Sequence, residues 1–192
     1  MKKKRMLKEF KEIGIVIAIF GILYLTGLHT DVAAFTQRVI LQTGIITPDT
    51  ELPEKEQEQL DYNLALASID GQQVHLSDFK GKVLFINIWA TWCAPCIAEM
   101  PGIQSLYEEA SSDVVFIMLS MDDSNEKAKK FIERKGFTFP VYLPASRVPE
   151  MLRAPSIPTT LVVNKEGLVV SKKVGMAKYN TKKFKRFLEE LE

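Results

Sequence analysis

The chain has 192 residues, 46% hydrophobic and 26% charged, which suits one globular core with or without an appendage. Its formal net charge of +1 excludes the strong basic bias of a nucleic-acid-binding protein. Both cysteines fall within one five-residue stretch, so they can react only with each other, with another molecule or with a metal.

The charge is unevenly spread. Residues 1–12 carry six basic groups (Lys2, Lys3, Lys4, Arg5, Lys8 and Lys11) against two acidic ones, leaving the body mildly acidic. Ile13 to Leu28 follows, sixteen residues without a charge. A spanning helix needs about 20 apolar residues and a signal-peptide core about 7–15, so this run lies between the two. It is read as a transmembrane signal-anchor over 13–28, with 1–12 as its basic cytoplasmic flank. Cleavage at the small residues Val32-Ala33-Ala34 is the alternative. A buried core helix is disfavoured, because the run is apolar on all faces and follows a dense basic cluster. Either leading reading exports the rest of the chain, since basic residues stay on the cytoplasmic side. The compartment beyond favours disulfides.

Residues 29–60 read as a juxtamembrane segment and linker. Val32 to Leu41 suits a short amphipathic helix at the membrane surface, ended by Gly44 and Pro48, and equally suits plain linker. Thr47 to Gln59 is polar, acidic and holds two prolines, the composition of a tether that lifts a domain off the membrane. The domain itself is placed at 61–192.

Within it, Tyr62 to Ile69 and Gln72 to Leu76 flank Asp70-Gly71, a hairpin signal. Lys82 to Trp89 has the apolar continuity of a strand buried on both faces. Pro95 to Ala110 reads as helix and Asp113 to Met121 as a second buried strand. A helix runs from a Ser124 cap to Lys135 with Gly136 as its stop. Phe137 to Leu143 reads as a short strand and Val148 to Leu152 as a helical turn. Thr159 to Asn164 and Leu168 to Val174 form a second hairpin across Lys165-Glu166-Gly167. Thr181 to Glu192 closes as a helix with Phe184, Phe187, Leu188 and Leu191 on one face. Alternating strands and helices, then a hairpin and helix, give an α/β domain around a mixed sheet.

The chemistry concentrates at Trp92-Cys93-Ala94-Pro95-Cys96. Cys93 falls where strand gives way to helix, and unpaired N–H groups and the positive end of the helix dipole favour a thiolate there. Cys96, one turn further, is placed to resolve a mixed disulfide formed by Cys93. Pro95 suits the first helical turn. Zinc is the competing reading of a close cysteine pair, but four ligands are needed. There is no second pair, and the histidines are His29, beside the apolar run, and His75, on a strand. Covalent haem attachment requires a histidine after the second cysteine, and Ile97 is there. A cysteine hydrolase would leave the second cysteine without a role. No metal or other cofactor is therefore expected beyond the redox-active pair.

Asn87-Ile88-Trp89-Ala90-Thr91-Trp92-Cys93-Ala94-Pro95-Cys96, with the later Ile157-Pro158-Thr159-Thr160, resembles the thioredoxin superfamily. The resemblance is closest to its membrane-anchored TlpA/ResA-like thiol-disulfide oxidoreductases and covers about Asp61 to Glu192. It implies a thioredoxin-like fold, with the first hairpin at its N-terminus and Ser124 to Leu143 as a helix-strand insertion. By this likeness Cys93 is the attacking thiol and Cys96 the resolving thiol. Pro158 resembles the cis-proline that lies against the pair, and the backbone of Ile157 would join an incoming substrate strand. On local grounds alone Pro149 and Pro155 are its rivals. Glu99 matches an acidic residue of ResA-like proteins that helps move protons, although a glutamate in the first turns of a helix is also favoured by the dipole alone. Trp92 is expected on the partner-facing surface and Trp89 in the core, with Phe131, Phe137, Phe139 and Met118. Thioredoxins proper carry a buried acid where this chain has Asn87, so proton handling must come from elsewhere.

The resemblance implies a protein-disulfide reductase in the bacterial cytoplasmic (inner) membrane, single-pass, with its catalytic domain on the extracytoplasmic (periplasmic) side. It would act on exported proteins, with apocytochrome c as one candidate. A reductase in an oxidising compartment implies a membrane electron donor of the CcdA/DsbD kind. A disulfide oxidase or isomerase, and a thiol-based haem or copper chaperone, are the alternatives.

Overall fold

The computed structural model describes residues 11–19, 21, 26 and 28–192. Of the expected membrane segment 13–28, residues 20, 22–25 and 27 lie outside the described residues, as do residues 1–10 of the basic flank. Residues 11–19 are helical and exposed. Among the described residues no helix is long and apolar enough to cross a membrane.

The first full element is α1, Leu28–Gln42. The strands are β1 (Ala65–Ser68), β2 (Gln73–His75), β3 (Val83–Trp89), β4 (Val114–Ser120), β5 (Val141–Pro144), β6 (Thr159–Val163) and β7 (Val169–Val174). The later helices are α2 (Ala94–Glu109), α3 (Asn125–Lys135) and α4 (Lys182–Glu190). The strands form one sheet in the order β2-β1-β5-β4-β3-β6-β7. β3, β4 and β5 are parallel, and β1, β6 and β7 join through antiparallel pairs.

Two crossovers in the same direction, β3 to β4 and β4 to β5, send α2 and α3 to one face of the sheet when both are right-handed. That face packs Phe85, Trp89, Phe116 and Met118 against Ile97, Met100, Phe131 and Phe184. Phe85 lies at its centre, ringed by Phe116, Tyr179 and Phe184 with centroids 4.9, 5.2 and 6.2 Å away. Among the described residues no long helix packs on the other face. Leu84, Ile86 and Ile88 are covered there by Leu60, Leu64, Leu76 and Leu152, from loops and single 3-10 turns.

All the expected strands and helices of the domain form, with shorter strands at the rim. Phe137 and Phe139 precede β5 rather than belonging to it. Phe139 is buried, while Phe137 is half-buried and stacked on Phe139. Ser124 occupies the N-cap of α3 without a side-chain cap bond, whereas Gly136 ends the helix in the left-handed region at φ 70°. Thr181 does cap α4, accepting from the Phe184 N–H at 3.2 Å.

The segment before the domain differs most from expectation. The helix within 32–41 forms, but one face of it is docked on protein: α1 packs against α2 and buries Ala34 and Leu41 in the core. Asp31 pairs with Lys135 at 2.9 Å and Arg134 at 3.7 Å, and the Lys178 ammonium donates to the Gln42 carbonyl at 3.2 Å. The tether expected at Thr47 to Gln59 lies along the sheet. Leu52 N–H donates to the Val170 carbonyl, Val169 N–H to Glu58 and Leu60 N–H to Gly167, at 2.7, 2.9 and 2.8 Å. Its polar side chains disguise a backbone that hydrogen-bonds like a partial strand.

Gly167 supports this attachment. It holds φ +85°, and an added Cβ would lie 2.3 Å from the Gln59 side-chain nitrogen and 3.2 Å from the Tyr62 hydroxyl. The Gln59 amide can swing aside, so the main cost of a side chain here is backbone strain, about 1–2 kcal/mol. Gly167→Ala is expected to lower the unfolding free energy by about that amount and to speed amide exchange at Leu60 and Val169. A variant as stable as the parent in urea titration would contradict this.

Candidate active site

β3 is buried at all seven positions and runs out directly into the redox motif. Cys93 is the N-cap of α2 and Pro95 lies in its first turn. The Cys93 sulfur accepts from the Cys96 N–H at 3.3 Å, so the opening turn of the helix offers a donor to the charge a thiolate would carry. The two cysteines are joined as a disulfide with S–S 2.03 Å and Cα–Cα 5.3 Å. Cys93 retains 5% exposure and Cys96 none, an asymmetry that leaves Cys93 as the reachable sulfur. Trp92, adjacent, is 63% exposed, and Trp89 is fully buried against Phe131.

The loop between β3 and α2 is braced by Asp122, a residue that the sequence alone does not single out. Asp122 accepts from the Thr91 N–H at 3.0 Å, the Thr91 hydroxyl at 2.6 Å and the Ser120 hydroxyl at 2.7 Å. The parallel register pairs Trp89 with Ser120, so the chain ends leaving β3 and β4 emerge side by side. The pairing of two buried strands is the signal that could have found it, since it sets residues just past Trp89 beside residues just past Ser120.

On the other side β6 pairs antiparallel with β3. The Ile157–Pro158 peptide is cis, Pro158 is buried and Ile157 is half-buried at the start of β6. Pro158 accepts through its carbonyl from Gly175 N–H at 2.8 Å, which ties it to the end of β7.

Glu99 lies one turn beyond Cys96 on the inner face of α2 and is 2% exposed. One carboxyl oxygen accepts from the Asn87 side-chain amide at 2.8 Å and the other from the Ala177 backbone N–H at 2.9 Å. Asn87 also donates to the Thr160 hydroxyl at 2.8 Å, its cross-strand partner in the β3–β6 register. Burial pushes the Glu99 carboxyl up to about 8, and the two hydrogen bonds offset only part of that. Desolvation wins because two donors replace only part of the water shell of a carboxylate. Tyr179 is buried nearby, and its phenol is raised by burial and by the neighbouring Glu99 charge. Its hydroxyl points toward Thr160 without a well-formed hydrogen bond, and the Asn87 carbonyl oxygen is likewise buried without a partner. Sequence reasoning marks Asn87 as a departure from thioredoxins proper but not as the donor that holds Glu99.

A cavity of about 210 Å³ flanks Glu99, lined by Arg38 and Leu41 of α1 with Ala98, Ala177, Lys178 and Asn180. A larger cleft, about 720 Å³ between Tyr62, Lys80 and Lys165, contains none of these groups. Among the described residues no cluster of three or more His, Cys, Asp or Glu could hold a metal ion. His75 is exposed at the end of β2, away from the pair. The arrangement can therefore exchange a disulfide through one accessible and one buried sulfur, with a protonatable carboxyl behind the buried one.

Comparison with known proteins gives a consistent placement. The redoxin family profile matches residues 44–188. The chain is 31% identical over 172 residues to the thiol-disulfide oxidoreductase ResA of Bacillus subtilis (strain 168), covering 88% of this chain and 86% of that protein. Against ResA of Bacillus anthracis it is 32% identical over 115 residues, 59% of this chain and 66% of that protein. Among solved structures, StoA from Bacillus subtilis superposes with a TM-score of 0.54 at 24% identity, over 64% of this chain and 93% of that one.

The buried carboxyl makes stability depend on pH. Folded protein holds the Glu99 proton up to about pH 8, against an ordinary value of 4.5. Between these limits the folded state binds more protons than the unfolded state, so stability falls as pH rises, by at most about 1.4 kcal/mol per pH unit from this one group. Glu99→Gln is expected to flatten that slope in urea unfolding of the oxidised protein between pH 5 and 8. Parallel pH curves for parent and variant would refute the assignment.

Proposed function

The chain belongs to the redoxin family of thioredoxin-like proteins, and from that premise we propose that it is a membrane-tethered reductase of disulfides in exported proteins. The observation that carries the redox half is the pairing of a slightly exposed Cys93 at the α2 N-cap with a fully buried Cys96. Reduced Cys93 attacks one sulfur of a substrate disulfide. A Cys93–substrate bond forms, the substrate S–S bond breaks, and the leaving thiolate takes a proton. Cys96 then attacks the Cys93 sulfur, closes the Cys93–Cys96 bond and expels the second substrate thiol. Two electrons have passed from the pair to the substrate, and the oxidised form described above is the product state.

Each neighbouring group has a role in that sequence. The backbone of Ile157, beside Pro158 at the N-terminal end of β6, pairs with a substrate segment, and Trp92 offers it an exposed aromatic surface. Glu99 takes or supplies the proton of the buried Cys96, for which bulk water is out of reach. Asn87 holds the carboxyl in place, and Asp122 fixes the loop that aims Cys93. No cofactor is required beyond the pair itself.

The tether is supported by the sequence of residues 1–28 and by the helix at 11–19, where Ile13, Ile15, Val16, Ile17 and Ile19 are all exposed among the described residues. The catalytic domain then lies on the extracytoplasmic side of the bacterial cytoplasmic membrane. Re-reduction there requires a dithiol donor carried by the membrane, of the CcdA/DsbD kind. Apocytochrome c cysteines are one substrate of the right chemistry.

Cys96→Ala expressed in cells is expected to accumulate mixed disulfides through Cys93, separable as reducible adducts whose partners are exported proteins. Adducts only with cytoplasmic proteins would exclude the proposed location. The reduction potential decides direction within the range of about −270 to −120 mV spanned by such proteins. A value at the negative end supports the reductase, and one near −120 mV would replace it with an oxidase.

A further inference from the structure

Helix α1 has two apolar faces, and only one of them is used by the protein. At 100° per residue, Ala34 and Leu41 fall together and pack into the core against α2. Val32, Phe35, Val39 and Ile40 fall on the opposite side and remain 49–64% exposed. Lone exposed apolar residues are ordinary, but four on one helical stripe form a contiguous patch. The patch includes the most exposed phenylalanine among the described large hydrophobics, Phe35.

The position of the stripe indicates what covers it. α1 starts at Leu28, the last residue of the uncharged run, so no linker separates the helix from the point where that run ends. Its length of 15 residues makes it about 22 Å long, too short to span but long enough to lie in an interface. The helix is also clamped to the domain at both ends. Asp31 is held by Lys135 and Arg134 of α3, and the Gln42 carbonyl by Lys178.

We propose that the Val32–Phe35–Val39–Ile40 face of α1 is seated in the outer leaflet of the lipid bilayer. α1 then acts as a bracket between membrane and redox domain rather than as slack chain. The inference rests on the proposed tether at 13–28 and goes beyond it, because a tether alone would leave the domain free to tumble. With one face in lipid and the other on α2, the helix that carries Cys93 and Cys96 is held at a fixed tilt and height above the bilayer. A rigid mounting of this kind keeps the pair within reach of a membrane-borne dithiol donor at every encounter.

The test uses the full chain reconstituted in vesicles of phosphatidylethanolamine and phosphatidylglycerol. A photoreactive benzoylphenylalanine is placed at Phe35, at Val39, or at the exposed Lys172 on β7 as a reference. Flotation of the vesicles reads the tether, and the mass of the photoproduct reads the neighbour of each position. The expected result is that all three proteins float, with phospholipid adducts at positions 35 and 39 at least tenfold above position 172. Floating protein that gives only protein–protein adducts at 35 and 39 would assign the face to a second copy and overturn the proposal. Floating protein with no enrichment over position 172 would leave α1 in water and also overturn it. Protein that does not float would refute the tether itself, and the bracket with it.

Discussion

The redox centre depends on one constraint, the complete burial of β3. A strand covered on both faces has no freedom to slip, because a one-residue shift would exchange the aromatic face of Phe85 and Trp89 with the aliphatic face of Leu84, Ile86 and Ile88. Its fixed register delivers Cys93 to the start of α2 and sets Asn87 facing α2. It also fixes the neighbours: β4 brings Asp122 to the motif loop, and β6 brings Pro158 and Thr160. Three parts of the chain, residues 87–99, 120–122 and 158–160, therefore converge at one site.

A buried asparagine and glutamate share the interior that this strand creates. Asn87 stands within hydrogen-bond reach of Glu99, where an acid would share a proton with it. As a neutral donor it stabilises the carboxylate without adding a second charge, and burial still keeps Glu99 protonated over most of the neutral range. Among the described residues Glu99 is thereby the one carboxyl of that interior, with the buried Tyr179 phenol beside it raised by burial and in turn by its charge.

The domain was legible in the sequence where local signals and burial agree. Continuous apolar runs marked β3 and β4, Asp70-Gly71 marked the first hairpin, and Gly136 marked the end of α3. The cysteine spacing, with a proline in the first helical turn, located the redox motif. Contacts set by tertiary register were not legible. Asp122 reads as one acid in the pair Asp122-Asp123 until β3 and β4 are laid side by side. Thr160 reads as a strand threonine until β6 is paired to β3. The polar composition of 47–59 concealed its docking, because backbone hydrogen bonds leave no mark on side-chain chemistry. The inner face of α1 was hidden for a different reason: Ala34 and Leu41 are too few to outweigh the larger apolar residues on its outer face.

The docked segment 49–60 has a consequence for how the molecule behaves at high local concentration. A sheet has two edges, and each offers unpaired N–H and carbonyl groups to any strand that arrives. At one edge β2 is only three residues long, with Gln73 and His75 exposed, a poor template. At the other, β7 is longer and apolar at Val169 and Val170, and the polar, proline-containing segment 49–60 pairs with that half of it. Under the proposed function a substrate segment pairs at neither of these edges but at Ile157, at the N-terminal end of the interior strand β6. With one outer edge short and the apolar half of the other already paired, edge-to-edge association between copies is disfavoured when the protein is crowded.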